Sequence, residues 1–380
     1  MDFSFTPEQE EMREHVVKLL DDVCPPEYAE RCDREAKPPR EAYQALAKHG
    51  WFGLAIPAEY GGSGGSPIDL AILLEEAGRH FEELGVWLFR TLTYGGYAVL
   101  KHGTPEQKKS LLPRVVKGEL SFCFGLTEPH SGSDAAALKT RATRDGDDYL
   151  INGQKVFTSG MDISDYCLLV ARTSTHDKKQ QGITNFLVDT KLPGIQVTRI
   201  ETLGQRSIGT TQVFYSNVRV PASAVLGAVD RGWEGADAYL QYERLCLSAA
   251  RTGAAMAAFE YALNYAKSRE QFGRPIGKFQ AISHKLADMK VMLDVSRTLV
   301  YRFAWLMSQG KATRHDAAVV KLYTSESYKS VSDLGLQILG GYGYCMEYPM
   351  QRFFRDSRLA VIGAGSSEIQ RNIIAQGLGL

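Results

Sequence analysis

Ile282, Leu286, Met289, Leu293, Ser296, Val300, Phe303 and Met307 recur at alternating steps of four and three residues, with Ser296 the only polar member. This spacing predicts a long helix with a packed seam. Gly310 follows as a stop. Thr313-Arg314-His315-Asp316 then opens another helix with a capping box, and that helix is expected to end at Gly340-Gly341. Near the start of the chain, Thr6-Pro7-Glu8-Gln9 supplies an N-cap, a proline at the first helical position and a glutamine to close the box. The same chemistry returns at Thr104-Pro105-Glu106-Gln107. Between the helical ends the period changes. Asp145-Gly146 reads as a turn between strands, Gln212-Val213-Phe214-Tyr215 and Val218-Arg219-Val220 read as strands, and Pro221 closes the last of them. The pattern predicts an α+β chain: a helical N-terminal domain (1–118), a central antiparallel β-domain or small barrel (119–230) and a C-terminal four-helix bundle (231–380).

Composition narrows the function classes. The chain has 380 residues, and its 44 basic and 44 acidic side chains cancel. A nucleic-acid surface usually carries a basic excess, so that class starts weak. Cys24, Cys32, Cys123, Cys167, Cys246 and Cys345 form no C-x-x-C pair and suggest no disulfide framework, which fits small buried hydrophobes in a reducing compartment. No stretch approaches a membrane span, and no secretory or transit leader is visible. A cytoplasmic protein is expected.

Most short motifs fail on their own requirements. The histidines lack H-E-x-x-H or ligand spacing, so no metal site is expected, and His284 and His315 read as solvated helix residues. No G-x-S-x-G elbow occurs. The Tyr60–Pro67 glycine run lacks the lysine of a phosphate loop and reads as a flexible connection. Gly363-Ala364-Gly365 mimics a dinucleotide turn, yet only 15 residues follow Gly365, too few for a second strand and its acidic partner. Two further clusters remain: Leu126-Thr-Glu-Pro-His-Ser-Gly-Ser-Asp134, able to present hydroxyls and free N–H groups to a phosphate or ring edge, and Gln337-Ile-Leu-Gly-Gly341, which reads as a helix C-terminus.

Taken together with Ile151-Asn-Gly-Gln-Lys-Val-Phe-Thr-Ser159, Arg269-Glu-Gln-Phe-Gly-Arg-Pro-Ile-Gly-Lys-Phe-Gln280, Arg352-Phe-Phe-Arg-Asp356 and Gly363-Ala-Gly-Ser-Ser-Glu-Ile-Gln370, these clusters make the chain resemble the acyl-CoA dehydrogenase family over nearly its whole length. The resemblance implies FAD between the β-domain and the bundle. Phe124, Leu126 and Thr127 would line the isoalloxazine, Phe157 and Ser159 would flank it, and Ser133 would lie near phosphates and substrate. The family usually has Trp and Thr where Phe157 and Ser159 stand, and small residues where His130 stands. From an adjacent subunit of a homo-oligomer, expected to be a tetramer, Arg269 would pair with the pyrophosphate, joined by Gln271, Phe272, Gln280, Gln337 and Gly341. Ser366 and Glu368 would reach the adenosine side.

The family reaction removes an α-proton from an acyl-CoA thioester and passes the β-hydrogen to the flavin. Many members place the base just before the position of Gly365; here that residue is Ala364. A subgroup that includes isovaleryl-CoA and long-chain dehydrogenases carries it elsewhere, at a motif matching Leu240-Gln-Tyr-Glu-Arg-Leu245. The resemblance thus implies Glu243 as base, Ala364 with Gly365 at the thioester, and Gln241 and Arg244 by the substrate channel. Electron-transferring flavoprotein is the implied acceptor. The alternatives are a flavin oxidase or monooxygenase on the same fold, a reductase such as crotonobetainyl-CoA reductase, and a non-catalytic nucleic-acid-associated relative.

Overall fold

The computed structural model describes residues 4–380, with only the backbone of Asp237. Seven helices form the N-terminal region: α1 (Pro7–Val23), α2 (Pro26–Glu35), α3 (Arg40–Lys48), α4 (Pro67–His80), α5 (Glu82–Arg90), α6 (Ala98–His102) and α7 (Pro105–Val116). The capping boxes form as expected at Thr6 and Thr104, and a third joins Ser66 to Asp69 at the start of α4. A π-helical stretch, Thr91–Tyr97, joins α5 to α6. Such widened turns often sit at functional sites, because they re-aim side chains that a regular helix would bury.

The Tyr60–Pro67 connection is not the flexible loop expected. Gly64 N–H donates to Ile56 O (2.9 Å), Ser63 N–H to Gly53 O (2.9 Å) and Gly65 N–H to Leu54 O (2.6 Å). Its glycines serve close packing onto the preceding turn rather than mobility.

The middle region holds β1 (Phe122–Gly125), β2 (Arg141–Asp145), β3 (Asp148–Ser159), β4 (Tyr166–Arg172), β5 (Ile183–Asp189), β6 (Ile195–Ile200), β7 (Thr210–Pro221) and β8 (Val225–Leu226). Their order is β6-β7-β3-β2-β4-β5-β8, with β1 laid on β4. The sheet is mixed, not antiparallel as expected: β1 runs parallel to β4, and β2 meets β4 in parallel at Arg141 and Arg172. The β2–β3 hairpin separates β1 from β4 in the chain, which gives the length a parallel crossover needs. A core of its own, including Ile151, Phe186, Val213 and Val218, holds this layer together.

The last region runs α8 (Gly232–Ser268), the two-strand ribbon β9 (Glu270–Gln271) and β10 (Arg274–Pro275), then α9 (Gln280–Ser308), α10 (Arg314–Leu339), α11 (Met350–Ala360) and α12 (Ser367–Gly377). That is five helices among the described residues rather than four. The α9 seam is buried at Leu286, Met289, Leu293, Ser296, Val300 and Phe303, as the heptad spacing predicts. His315 is packed rather than solvated: its ring lies against Gly377 at the end of α12. Helix α8 also packs on α4. A Cβ on Gly253 would fall 1.9 Å from Glu75 O, and one on Gly78 2.0 Å from Ala250 O, so only glycine permits this crossing. One hydrophobic cluster accordingly runs from Val16 through Tyr239 to Val320, joining the two helical regions. The sequence boundary at 231 is therefore no gap in space.

Candidate functional site

Glu243 and Arg244 lie in the first third of α8, each 6% exposed, so the charged pair is not a solvated helix start. Helix α8 has little free surface, because it packs against α4, α5 and α10. The π-helical stretch brings Tyr94 within hydrogen-bonding reach of the Glu243 carboxyl. Burial is the largest influence on that carboxyl and pushes it above the usual range, against the pull of Arg244, Tyr94, Arg251 and Arg90. An aromatic wall keeps the place dry. Tyr94 stacks on Phe124 at 4.7 Å, and Tyr239 meets both edge-on at 6.4 and 5.9 Å. A carboxylate desolvated this way gains basicity, as a proton acceptor for a weak carbon acid requires.

Ala364 and Gly365 take successive left-handed conformations, φ +57° and +81°. Their carbonyls are tied down: Gln370 Nε2 donates to Ala364 O (3.2 Å) and Gly365 O (2.9 Å), and Lys321 Nζ donates to Gly365 O (2.6 Å). The Ala364 N–H meets no protein acceptor among the described residues. A tethered turn with a free amide is a place for a developing oxyanion. Lys321 is fully buried, and burial, reinforced by Arg251 and Arg244, pulls its ammonium down to about 7. Ser366 caps α12 by accepting from Ile369 N–H (3.4 Å). Glu368 is exposed on the first turn of α12, and its bond with Ser366 holds its carboxyl below the usual range. Burial, the largest influence on Glu243, is only a minor one here.

In the β-layer, the segment carrying Leu126 and Thr127 is pinned by a buried ion pair. Lys155 Nζ donates to Glu128 (2.8 Å) and to Leu126 O (2.9 Å), while Glu128 also accepts from the N–H groups of Lys139 and Thr140. Val156 N–H donates to Thr127 O (2.9 Å). Burial draws the Lys155 ammonium down to about 8 against its partner's pull. His130 lies 3.3 Å from Glu128, and Ser133 is exposed beside it. Phe157 stands at a bulge in β3, left-handed at φ +57° and 62% exposed, and the Ser159 hydroxyl is 3.2 Å from that of Thr210. A left-handed, exposed phenylalanine costs about 1–3 kcal/mol of strain. That strain is understandable where a flat apolar ring is to be covered, and the residues here suit a flavin.

Phe272 repeats the feature at the other end of α8, φ +51° and 94% exposed. With Arg269, Gln271, Gly341 and the side chains of Ile276 and Phe279, it lines an open groove of about 640 Å³. Gln280 and Gln337, at the start of α9 and the end of α10, are exposed. Arg269 follows Glu243 by 26 residues, about 39 Å along a helix rising 1.5 Å per residue. One chain therefore brings together Glu243, Ala364, Gly365, Phe124 and their neighbours, but leaves the Arg269 set far away. Gln241 is half-buried beside Glu243.

Sequence reasoning missed Arg90, Tyr94 and Lys321 altogether. Glu128 and Lys155 lay inside quoted motifs, yet a buried pair 27 residues apart carries no local signal. Among the described residues no cluster of potential metal ligands occurs, and no helix is long and apolar enough to cross a membrane.

Comparison with known proteins gives matches along the whole chain. Residues 6–119, 123–218 and 230–379 match the N-terminal, middle and C-terminal domains of acyl-CoA dehydrogenases. A 3-(aryl)acrylate reductase of Clostridium sporogenes is 37% identical over 97% of this chain and 98% of its own. The Caffeyl-CoA reductase-Etf complex subunit CarC of Acetobacterium woodii is 35% identical over 96% and 93%. Butyryl-CoA dehydrogenase of Megasphaera elsdenii superposes with a TM-score of 0.94 at 32% identity, covering 100% of both chains.

Proposed function

The chain belongs to the acyl-CoA dehydrogenase family of FAD-dependent oxidoreductases, and from that premise we propose that it dehydrogenates an acyl-CoA thioester to the trans-2-enoyl-CoA with Glu243 as base. The observation that carries this reading is the Glu243 carboxyl, buried, raised by desolvation and within reach of Tyr94. Glu243 takes the α-proton. The Ala364 N–H donates to the thioester oxygen as negative charge develops there, and Lys321 and Gln370 hold the turn that aims it. The aromatic wall of Tyr94, Phe124 and Tyr239 excludes water, which keeps the carboxylate basic and protects the carbanionic α-carbon from reprotonation by solvent. Bound FAD would supply the acceptor for the β-hydrogen, which leaves as hydride. Phe124, Leu126, Thr127, Phe157 and Ser159 would hold its ring system, with Ser133 near its phosphates.

The distant Arg269 set supports a shared site. Arg269, Gln271, Phe272, Gln280, Gln337 and Gly341 would hold the pyrophosphate end of a neighbouring subunit's FAD, with Ser366 and Glu368 toward the adenosine, in a homo-oligomer and specifically a tetramer. Gln241 and Arg244 would border the substrate channel. An electron-transferring flavoprotein is the proposed acceptor, in keeping with a relative named as part of an Etf complex.

Anaerobic titration of the FAD-loaded protein with straight, branched, aryl and ω-carboxyl acyl-CoA thioesters tests the reading. Bleaching of the flavin with enoyl-CoA formation is expected for at least one class. Flavin that stays oxidised with all of them rejects it. Stoichiometric H2O2 on admitting air after reduction would point instead to an oxidase.

A further inference from the structure

Arg90 closes α5, one widened turn before Tyr94. Among the described residues it makes no hydrogen bond and no ion pair, and its Nη1 is completely buried. The ring of Phe89 lies 5.7 Å from the guanidinium carbon. The residue as a whole is half-buried. A Cβ added to Gly160 would lie 3.7 Å from Nη1, which places the guanidinium beside the segment that follows Ser159. The groups acting on it electrostatically are Tyr94, Cys123, Glu243 and Glu83, and burial outweighs them all.

Such a cation is anomalous. A buried guanidinium without a counter-ion costs several kcal/mol, so proteins pair it or omit it. Two other buried arginines are paired, Arg355 with Asp33, and Arg251 with the carbonyl of Ala360 and the hydroxyl of Ser325, while buried Arg352 lies over the ring of Phe81 at 5.4 Å. Arg90 forms an ion pair with neither of its acidic neighbours among the described residues. Glu243 and Glu83 are themselves buried carboxyls raised above the usual range, Glu83 to about 7; Glu83 Oε2 accepts from the Ser207 hydroxyl and the Ile208 N–H, and its Oε1, though buried and unpartnered, does not meet the guanidinium. Tyr94 turns toward Glu243. The guanidinium is therefore left for an anion that the protein does not contain.

We propose that Arg90 is the specificity residue of the acyl pocket and receives a carboxylate at the far end of the acyl chain, so that the substrates are mono-CoA thioesters of dicarboxylic acids. This rests on the reading of Glu243 as the base. Arg90 and Tyr94 are four residues apart, nearly one turn of the widened helix, and so lie close to one face, with Tyr94 beside the base. Arg90 then lies about one turn, ~5 Å, farther on. A chain whose α-carbon meets Glu243 reaches Arg90 with its distal end, and a fork of two N–H groups suits a carboxylate better than a methyl end. The same cation gives discrimination in both directions, because a methyl-ended chain leaves the guanidinium buried and unpaired.

The test compares length-matched thioesters on the FAD-loaded protein: glutaryl-, adipyl- and pimelyl-CoA against pentanoyl-, hexanoyl- and heptanoyl-CoA. Binding is read from the perturbed flavin spectrum, and turnover from anaerobic bleaching. At least one ω-carboxyl thioester should bind ~10²-fold more tightly than its methyl-ended partner. Arg90→Met should erase or reverse that preference while FAD content and melting temperature hold or rise, since an unpaired buried cation is being removed. Arg90→Lys should retain part of it. Equal or better binding of the methyl-ended series by the unaltered protein overturns the proposal. So does an Arg90→Met variant that weakens both series alike or shifts the flavin potential without substrate, which would assign Arg90 to the flavin. Tight binding of a dicarboxylic thioester with no bleaching would keep this proposal and sink the dehydrogenase reading.

Discussion

Two buried carboxylates on packed helices, Glu75 on α4 and Glu243 on α8, are treated in opposite ways. Glu75 sits in the fork of Arg297, with Nε–Oε2 at 3.0 Å and Nη2–Oε1 at 2.9 Å, and its neighbour Glu76 is met by Arg13 at 2.7 Å. Glu243 feels Arg244, Arg251 and Arg90 around it, but its hydrogen bond goes to Tyr94, and among the described residues no ion pair forms between it and those arginines. Burial raises both carboxyls, so desolvation alone does not distinguish them. The difference lies in the partner. On α4 each acid is answered by a cation reaching from another helix, Arg297 of α9 and Arg13 of α1, and the pairs join the fold. At the α5–α8 contact an acid and a cation are both left open in a dry place. That arrangement weakens the fold, and it is where we propose that the chemistry lies.

The largest effect is expected from removing the open acid. Glu243→Gln should lower the rate of flavin reduction by at least ~10²-fold at saturating thioester, while FAD and substrate still bind. Stopped-flow bleaching checks this, and a wild-type rate would make Glu243 another buried structural acid. The paired acid should behave in reverse. Arg297→Met strands Glu75 and should cost about 2–3 kcal/mol of stability in denaturant unfolding, at the low end for a broken buried pair because Arg297 is 34% exposed. The rate per folded, FAD-loaded molecule should not change.

A third acid sharpens the contrast through pH. Burial raises Glu83 to about 7 from the ordinary 4.5. Between those values the folded chain holds a proton that the unfolded chain has released, so Glu83's contribution is present below pH 4.5 and is lost as pH rises through about 7. Glu83→Gln should flatten that part of the stability–pH curve. An unchanged slope would show that Glu83 is ionised in the fold. The smallest effect is expected at Lys321. Lys321→Met should loosen the Ala364–Gly365 turn and slow reduction roughly 10-fold, within the range for one lost positioning contact. Because burial lowers this ammonium to about 7, the unaltered protein gains stability as pH rises from about 7 toward 10.5, and the variant should not.

Much of this molecule is legible locally. The boxes at Thr6, Thr104 and Thr313 form because a hydroxyl three residues before an acceptor side chain meets the first turn's own N–H groups. The α9 seam is buried at the positions its spacing marks. The turn at Ala364 was marked by a pair of glycines; Glu243 was singled out by resemblance to a motif, and its role as base is our proposal. Strand direction was not legible. β1 and β4 look like any apolar runs, and whether they pair in parallel depends on the path of the β2–β3 hairpin between them.

What the sequence determined by itself is therefore the set of elements and the residues that open and close them, since caps, turns and periodicity act over three or four residues. What the tertiary structure alone decided is which charges have partners. Glu75 and Arg297 are 222 residues apart, and Asp33 and Arg355 322 apart, and each pair is satisfied across helices. Arg90 and Glu243 are as ordinary in the sequence as any of these. Only packing, which removes water from a side chain before settling whether an opposite charge stands within reach, sets them apart from the paired acids and cations.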